Sequence, residues 1–133
     1  MIFVDTSFWV ALRNRRDPHH TEAARLWQER GDAGLFTTNH VFGETWTFLR
    51  RKSGHASAVG FLDAVERSPR VISFHVTAEL ERQAARWLRQ HSEREYSFVD
   101  ATSFAAMKAE RIREALAFDG DFSAAGFIEL RVD

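Results

Sequence analysis

Met1-Ile2-Phe3-Val4-Asp5-Thr6-Ser7 is the stretch that decides the fold. Ile2, Phe3 and Val4 form an apolar run too short for a buried helix, and it reads as a strand buried on both faces. The run closes on Asp5, and Phe8, Trp9 and Leu12 then follow at helical spacing, which predicts a helix from Thr6 to about Leu12. A strand that is apolar on both faces and feeds directly into a helix belongs to a parallel sheet with helices on either side.

The rest of the chain repeats that alternation. Asp17-Pro18 has the form of a helix start, an acidic cap followed by proline at the first helical position, and the helix stops before Gly31. Leu35–Thr38 reads as a second strand. Asn39 then caps a helix with Val41, Phe42, Thr45, Phe48 and Leu49 on its apolar side, ended by Gly54. A further helix spans about His55 to Arg67, and Arg70 to Val76 reads as a third strand. Thr77 and Ser97 cap two more helices, Ala115 to Phe118 and Phe127 to Val132 read as the last strands, and Phe122–Ala125 as a helical turn between them. The expectation is an α/β fold, one domain over 1–133, whose ligand site lies beyond the carboxyl ends of parallel strands.

Composition excludes several chemistries. The chain has no cysteine, so disulfides, thiolate zinc sites and a cysteine nucleophile are absent. No apolar stretch approaches the ~20 residues that span a bilayer, and the first residues lack a basic, apolar leader. These features place the protein in the cytoplasm, with no membrane partner. The net charge of −1 announces no polyanionic partner, but cations gather at Arg13, Arg15 and Arg16 and at Arg50, Arg51 and Lys52. Of the 18 basic residues only Lys52 and Lys108 are lysine, and arginine offers a planar fork suited to phosphate. Such clusters also occur simply as solvated helix ends.

Four acids fall where this fold converges: Asp5, Glu44, Asp100 and Asp119. Each has an ordinary explanation. Asp5 can cap a helix, Glu44 can pair with His40 one turn earlier, Ser97–Asp100 has the form of a capping box, and Asp119-Gly120 suits a turn. Gathered in one place, however, four carboxylates repel and require cations. A hard divalent ion that prefers oxygen, Mg²⁺ or alternatively Mn²⁺, is the simplest one. Ser7 can orient the Asp5 carboxylate, while Asp121 is the weaker acidic candidate beside Asp119. His19-His20 reads as surface loop, and no pair of histidines has zinc-site spacing.

In four segments the chain resembles the PIN-domain ribonucleases and, among them, the VapC toxins of bacterial toxin–antitoxin pairs. The segments are Phe3-Val4-Asp5-Thr6-Ser7, Thr37 to Thr45 around Gly43-Glu44, Ser97 to Ser103 around Asp100, and Leu116 to Phe122 around Asp119. They occur in family order across essentially the whole chain. The resemblance implies a three-layer α/β/α fold with a central parallel five-stranded sheet. It implies metal binding and catalysis by Asp5, Glu44, Asp100 and Asp119, with Ser7 and Asp121 in support. It also implies a Mg²⁺-dependent endoribonuclease toxin that hydrolyses RNA phosphodiesters with water, a VapB-type antitoxin that occupies its groove, and a homodimer. The two cation clusters become candidate contacts to the RNA backbone. The alternatives are a catalytically silent domain of the same fold that binds RNA or protein, and aspartyl-phosphate chemistry of the haloacid dehalogenase kind. The latter calls for a second acid at the position of Ser7.

Overall fold

The computed structural model describes residues 1–132. Five parallel strands form one sheet: β1 (Ile2–Val4), β2 (Leu35–Thr38), β3 (Val71–Phe74), β4 (Glu114–Leu116) and β5 (Ile128–Glu129). Their spatial order is β3-β2-β1-β4-β5. Seven helices connect them: α1 (Thr6–Arg13), α2 (His20–Arg30), α3 (Asn39–Ser53), α4 (His55–Arg67), α5 (Ala78–Gln90), α6 (Phe98–Ala109) and α7 (Asp121–Ala124). Among the described residues no helix is long and apolar enough to cross a membrane.

The sequence of connections matters more than their number. From β1 the chain moves outward to β2 and β3 on one side, then returns to place β4 on the other side of β1. The order therefore reverses between β1 and β4, and a crevice opens outside the carboxyl ends of those two strands. Residue pairs Ile2–Glu114, Phe3–Ala115 and Val4–Leu116 set the register, and the backbone N–H of Asp5 donates to Leu116 O at 3.0 Å.

The core is what the apolar runs predict. Ile2, Phe3, Val4, Leu35, Leu116 and the helix residues Phe8, Phe61 and Phe104 are buried. Phe104 packs edge-on against Phe122 at 4.9 Å and Trp87 at 5.2 Å, tying α5, α6 and α7 together. Truncating such a ring to alanine costs roughly 3–5 kcal/mol.

Several boundaries differ from the sequence reading. The second helix begins at His20, not Pro18, because Asp17 Oδ1 accepts the N–H of His19 at 2.8 Å and holds residues 17–20 in a turn. Asn39 is not the cap of α3. Thr38 is, its Oγ1 accepting from Val41 N at 3.1 Å, while Asn39 Oδ1 accepts from Val76 N at 2.6 Å. The strands β3, β4 and β5 are shorter than their apolar runs: β4 pairs with β1 over only the residues of β1, and β5 lies at the edge, paired with β4 alone. Phe48, expected in the core, is 41 % exposed.

Candidate metal-binding acid cleft

Asp5 leaves β1 and caps α1. Its Oδ2 accepts the Ser7 hydroxyl at 2.7 Å and the Ser7 N–H at 3.2 Å, and the same hydroxyl accepts from Phe118 N at 3.0 Å. Ser7 thus locks the carboxylate to the chain leaving β4. Asp100 occupies the capping box of α6: its Oδ2 accepts Ser97 N at 3.0 Å, and its own N–H donates to Ser97 Oγ at 2.9 Å. Asp5 is 2 % exposed and Asp100 6 %. Among the described residues no donor reaches Oδ1 of either acid.

Asp119 comes from the turn between β4 and α7, and Asp121 is the first residue of α7. Gly120 makes the turn possible with φ near +82°, a left-handed conformation that costs glycine little. Asp121 N donates to Asp119 Oδ1 at 3.1 Å. Glu129 of β5 braces the turn, accepting from Gly120 N at 3.3 Å and Ser123 N at 2.9 Å. Arg94, from the loop between α5 and α6, reaches across: its Nε donates to Asp121 Oδ1 at 2.6 Å and its Nη2 to Asp119 O at 3.0 Å. Oxygen atoms of Asp100, Asp119 and Asp121 all lie within 4.8 Å of one another. Asp5, Glu44, Asp17 and Glu95 line the same cleft of about 460 Å³.

The electrostatics follow from this crowding. Burial, then the charge of Asp119 and, more weakly, of Asp100, pushes the Asp5 carboxyl well above the ordinary range, with Ser7 opposing. Burial raises Asp100 to about 7, helped by Asp121 and Asp119 and opposed by the Ser97 N–H. Asp119 is also raised, first by loss of solvent and then by Asp121 and Glu129. These carboxylates are short of positive charge. Hard oxygen donors, close spacing and free Oδ1 atoms fit a Mg²⁺-like ion. Arg94 supplies only part of the missing charge, from the rim.

The cleft gathers all four expected acids, but in different roles. Asp121, the weaker candidate in sequence, belongs to the tight group with Asp100 and Asp119. Asp5 sits beside that group, and Glu44 lines the cleft from α3. Glu44 does not pair with His40, whose Nδ1 faces Thr102 Oγ1 at 3.1 Å and whose Nε2 lies 3.7 Å from Glu81. Asp119 stands three residues beyond the end of β4, not at it. His19 lies in an exposed turn, as the sequence predicts, and yet has a place at the site. It lines the cleft and stacks on Phe118 at 4.4 Å, whose other neighbours include Phe8 and the Arg131 guanidinium. Arg94 gave no motif signal, since its partner lies 27 positions away. Of the cations, Arg51 and Lys52 line a second cleft beside the first, whereas Arg13, Arg15, Arg16 and Arg50 line neither.

Comparison with known proteins agrees with this geometry. The family model for the PIN domain matches residues 2–128. The chain is 58% identical over 131 residues to the 23S rRNA-specific endonuclease VapC20 from two strains of Mycobacterium tuberculosis, covering 98% of both chains. A crystal structure of M. tuberculosis VapC20, described as a sarcin–ricin loop cleaving toxin, superposes with a TM-score of 0.94 at 56% identity, covering 99% of this chain and 100% of that one.

Proposed function

The chain belongs to the PIN-domain family, and from that membership and its acid cleft we propose that it is a metal-dependent endoribonuclease, the toxin of a VapBC-type pair. Residues 1–133 act as one PIN domain. The single observation that carries the reading is the convergence of Asp5, Glu44, Asp100, Asp119 and Asp121, from separate elements, on the crevice between β1 and β4. The substrate class is ribosomal RNA, and within it the sarcin–ricin loop, by likeness to the VapC20 relatives.

Asp100, Asp119 and Asp121 would hold the ion, with Asp5 beside them and Glu44 at the α3 wall. Bound Mg²⁺, or Mn²⁺, would lower the pKa of a water and neutralise charge on the phosphate being cleaved. The chain's own part is to keep its carboxylates aimed at one place. Ser7 fixes Asp5 through one oxygen and leaves the other free, and Ser97 does the same for Asp100. Without a bound cation the cleft repels RNA, so the metal assists binding as well as chemistry. Water as the attacking group leaves the RNA 2′-hydroxyl without a role, so the products carry 5′-phosphate and 3′-hydroxyl ends. Arg13, Arg15, Arg16, Arg50, Arg51 and Lys52 are the candidate backbone contacts. The protein works in the cytoplasm as a homodimer, restrained by a VapB-type antitoxin.

The test uses purified, antitoxin-free protein, a synthetic hairpin carrying the sarcin–ricin loop, and total RNA. Cleavage is expected with Mg²⁺, is lost in EDTA and is lost in Asp100→Asn. It persists when the nucleotide 5′ to the cut is 2′-deoxy. A wild-type protein that binds metal and hairpin yet cuts no RNA would sink the reading.

A further inference from the structure

The second cleft, about 780 Å³, opens beside the acid cleft and shares Glu44 and Phe48 with it. Its wall is one face of α3. His40, Glu44, Phe48 and Lys52 follow at intervals of four, with Gly43 and Arg51 alongside at the intermediate spacing. The same helix turns its opposite face, Val41, Thr45 and Leu49, into the core. The exposed face is therefore not a mis-sorted core stripe. It runs from a carboxylate of the acid cleft, through one bare aromatic ring, to two cations.

Three features point to a ligand. Phe48 is 41 % exposed although it lies beside buried Leu49 and one turn after buried Thr45. At Gly43, one turn before Thr47, no atom lies within 4 Å of where a side chain would begin, so the floor beside the ring is open. Arg51 and Lys52 make no ion pair among the described residues, as most cations here do not, but these two line the cleft that joins the acids. A second copy of the chain is the poorer occupant. The ring and the two cations continue directly from the acid cleft through the shared Glu44 and Phe48, which suits a phosphate chain leaving that cleft.

We propose that this face is a nucleotide subsite: the base next to the scissile phosphodiester stacks on Phe48, and the following phosphate rests on Arg51 and Lys52. The assignment rests on the nuclease reading above and adds to it a place where the RNA leaves the acids. A ring beside a pair of cations is the usual way to hold an unpaired nucleotide, since every base has a face to stack and every linkage a charge. The subsite holds one unstacked base, so it favours loops over duplex. It also divides the second cation cluster: Arg51 and Lys52 touch RNA, and Arg50 contributes only to the general field.

The test is equilibrium binding of the sarcin–ricin hairpin to protein carrying Asp100→Asn to prevent cutting, with 2-aminopurine placed in turn at each loop position. One position, adjacent to the cut mapped with wild-type protein, is expected to quench on binding. Phe48→Leu removes that quenching and weakens binding roughly 5- to 150-fold, the range of one lost stack. Phe48→Trp restores both. Arg51→Ala and Lys52→Ala each lower the salt slope of binding by about 0.7 to 0.9, and Arg67→Ala does not. Thermal melts show that each variant folds. Wild-type affinity and quenching in folded Phe48→Leu overturn the subsite while leaving the nuclease intact. If Phe48→Leu changes only sedimentation, the face belongs to a second copy; if it changes only capture of the co-expressed antitoxin, to the antitoxin. Position-specific quenching without cleavage by the wild type sinks the nuclease and keeps an RNA-binding face. Absence of both binding and cleavage sinks both.

Discussion

Asp5 and Asp100 form the floor of the cleft, Asp119 and Asp121 its rim, and the two pairs are held by opposite means. The floor acids are buried, each fixed by a serine of its own helix start, and nothing positive reaches them. The rim acids sit on a glycine turn, braced by Glu129 from behind and by Arg94 in front. The floor is preorganised and electrostatically costly, and the rim is more open and neutralised in part. A site of this kind keeps its geometry in the core of the fold and admits its cation and substrate at the edge.

Asp100→Asn is the strongest way to break the contrast. The amide oxygen still accepts from Ser97, so the cap survives, but the charge is gone. Cleavage should fall at least ~10³-fold, because several kcal/mol of charge stabilisation is lost. Yet the metal-free protein should melt higher, since a buried carboxylate short of partners has been removed. A variant that is both inactive and less stable would show Asp100 to be a structural cap first.

Ser7→Ala comes next. It removes the donor to Asp5 and leaves Phe118 N without its acceptor. Activity should drop ~10- to 100-fold, as for other residues that orient a metal ligand, and stability by about 1–3 kcal/mol. Asp121→Asn on the rim should cost activity without that loss of stability. Equal destabilisation by the two changes would erase the distinction between floor and rim.

These contrasts also mark what the sequence could disclose. Apolar runs as short as Ile2–Val4 specify parallel strands, and capping residues such as Ser97 and Thr77 sit where local hydrogen bonding puts them, so the fold class and most helices are legible. The four acids are legible because strand ends and helix starts meet at one edge of such a sheet. What is not legible is long-range. Arg94 reaches Asp121 across 27 positions, and His19 reaches Phe118 only because the turn at Asp17 swings it inward. Phe48 fits a helical apolar period yet faces outward, because a period has no knowledge of where the neighbouring helix ends. Asp121 reads as weaker than Asp119 in sequence because nothing local says that Gly120 turns both acids toward Asp100.

A smaller effect, carried by the floor acids and shared by Asp119 at the rim, appears with pH. Asp5 and Asp100 titrate higher in the folded chain than in the unfolded one. Between the unfolded value near 4 and about 7 the folded protein therefore binds more protons, and metal-free stability falls as pH rises through that window. The melting temperature in EDTA should decline by several degrees from pH 4.5 to 7.5. Mg²⁺ should flatten or reverse the decline, because metal and protons compete for the same oxygens. In Asp100→Asn the slope should be shallower. An unchanged slope would place the responsible groups elsewhere.

The smallest expected effect concerns the rim alone. Arg94 and Asp121 pair at 2.6 Å, but the arginine is 40 % exposed, so solvent screens the pair and it contributes little to folding. Its weight is electrostatic. Arg94 places a positive charge beside the three acids that would bind the ion, and one of those acids is its partner. Arg94→Ala should therefore lower the Mg²⁺ concentration for half-maximal cleavage by roughly two- to tenfold, the size of one nearby charge in a solvated setting. Arg94→Lys keeps the charge but loses the fork and should stay near wild type. A rise in the Mg²⁺ requirement with both substitutions would mean that the fork aims Asp121, and that the rim is as preorganised as the floor. A rise with alanine alone would give the charge a part in holding the phosphate, since lysine supplies it equally well.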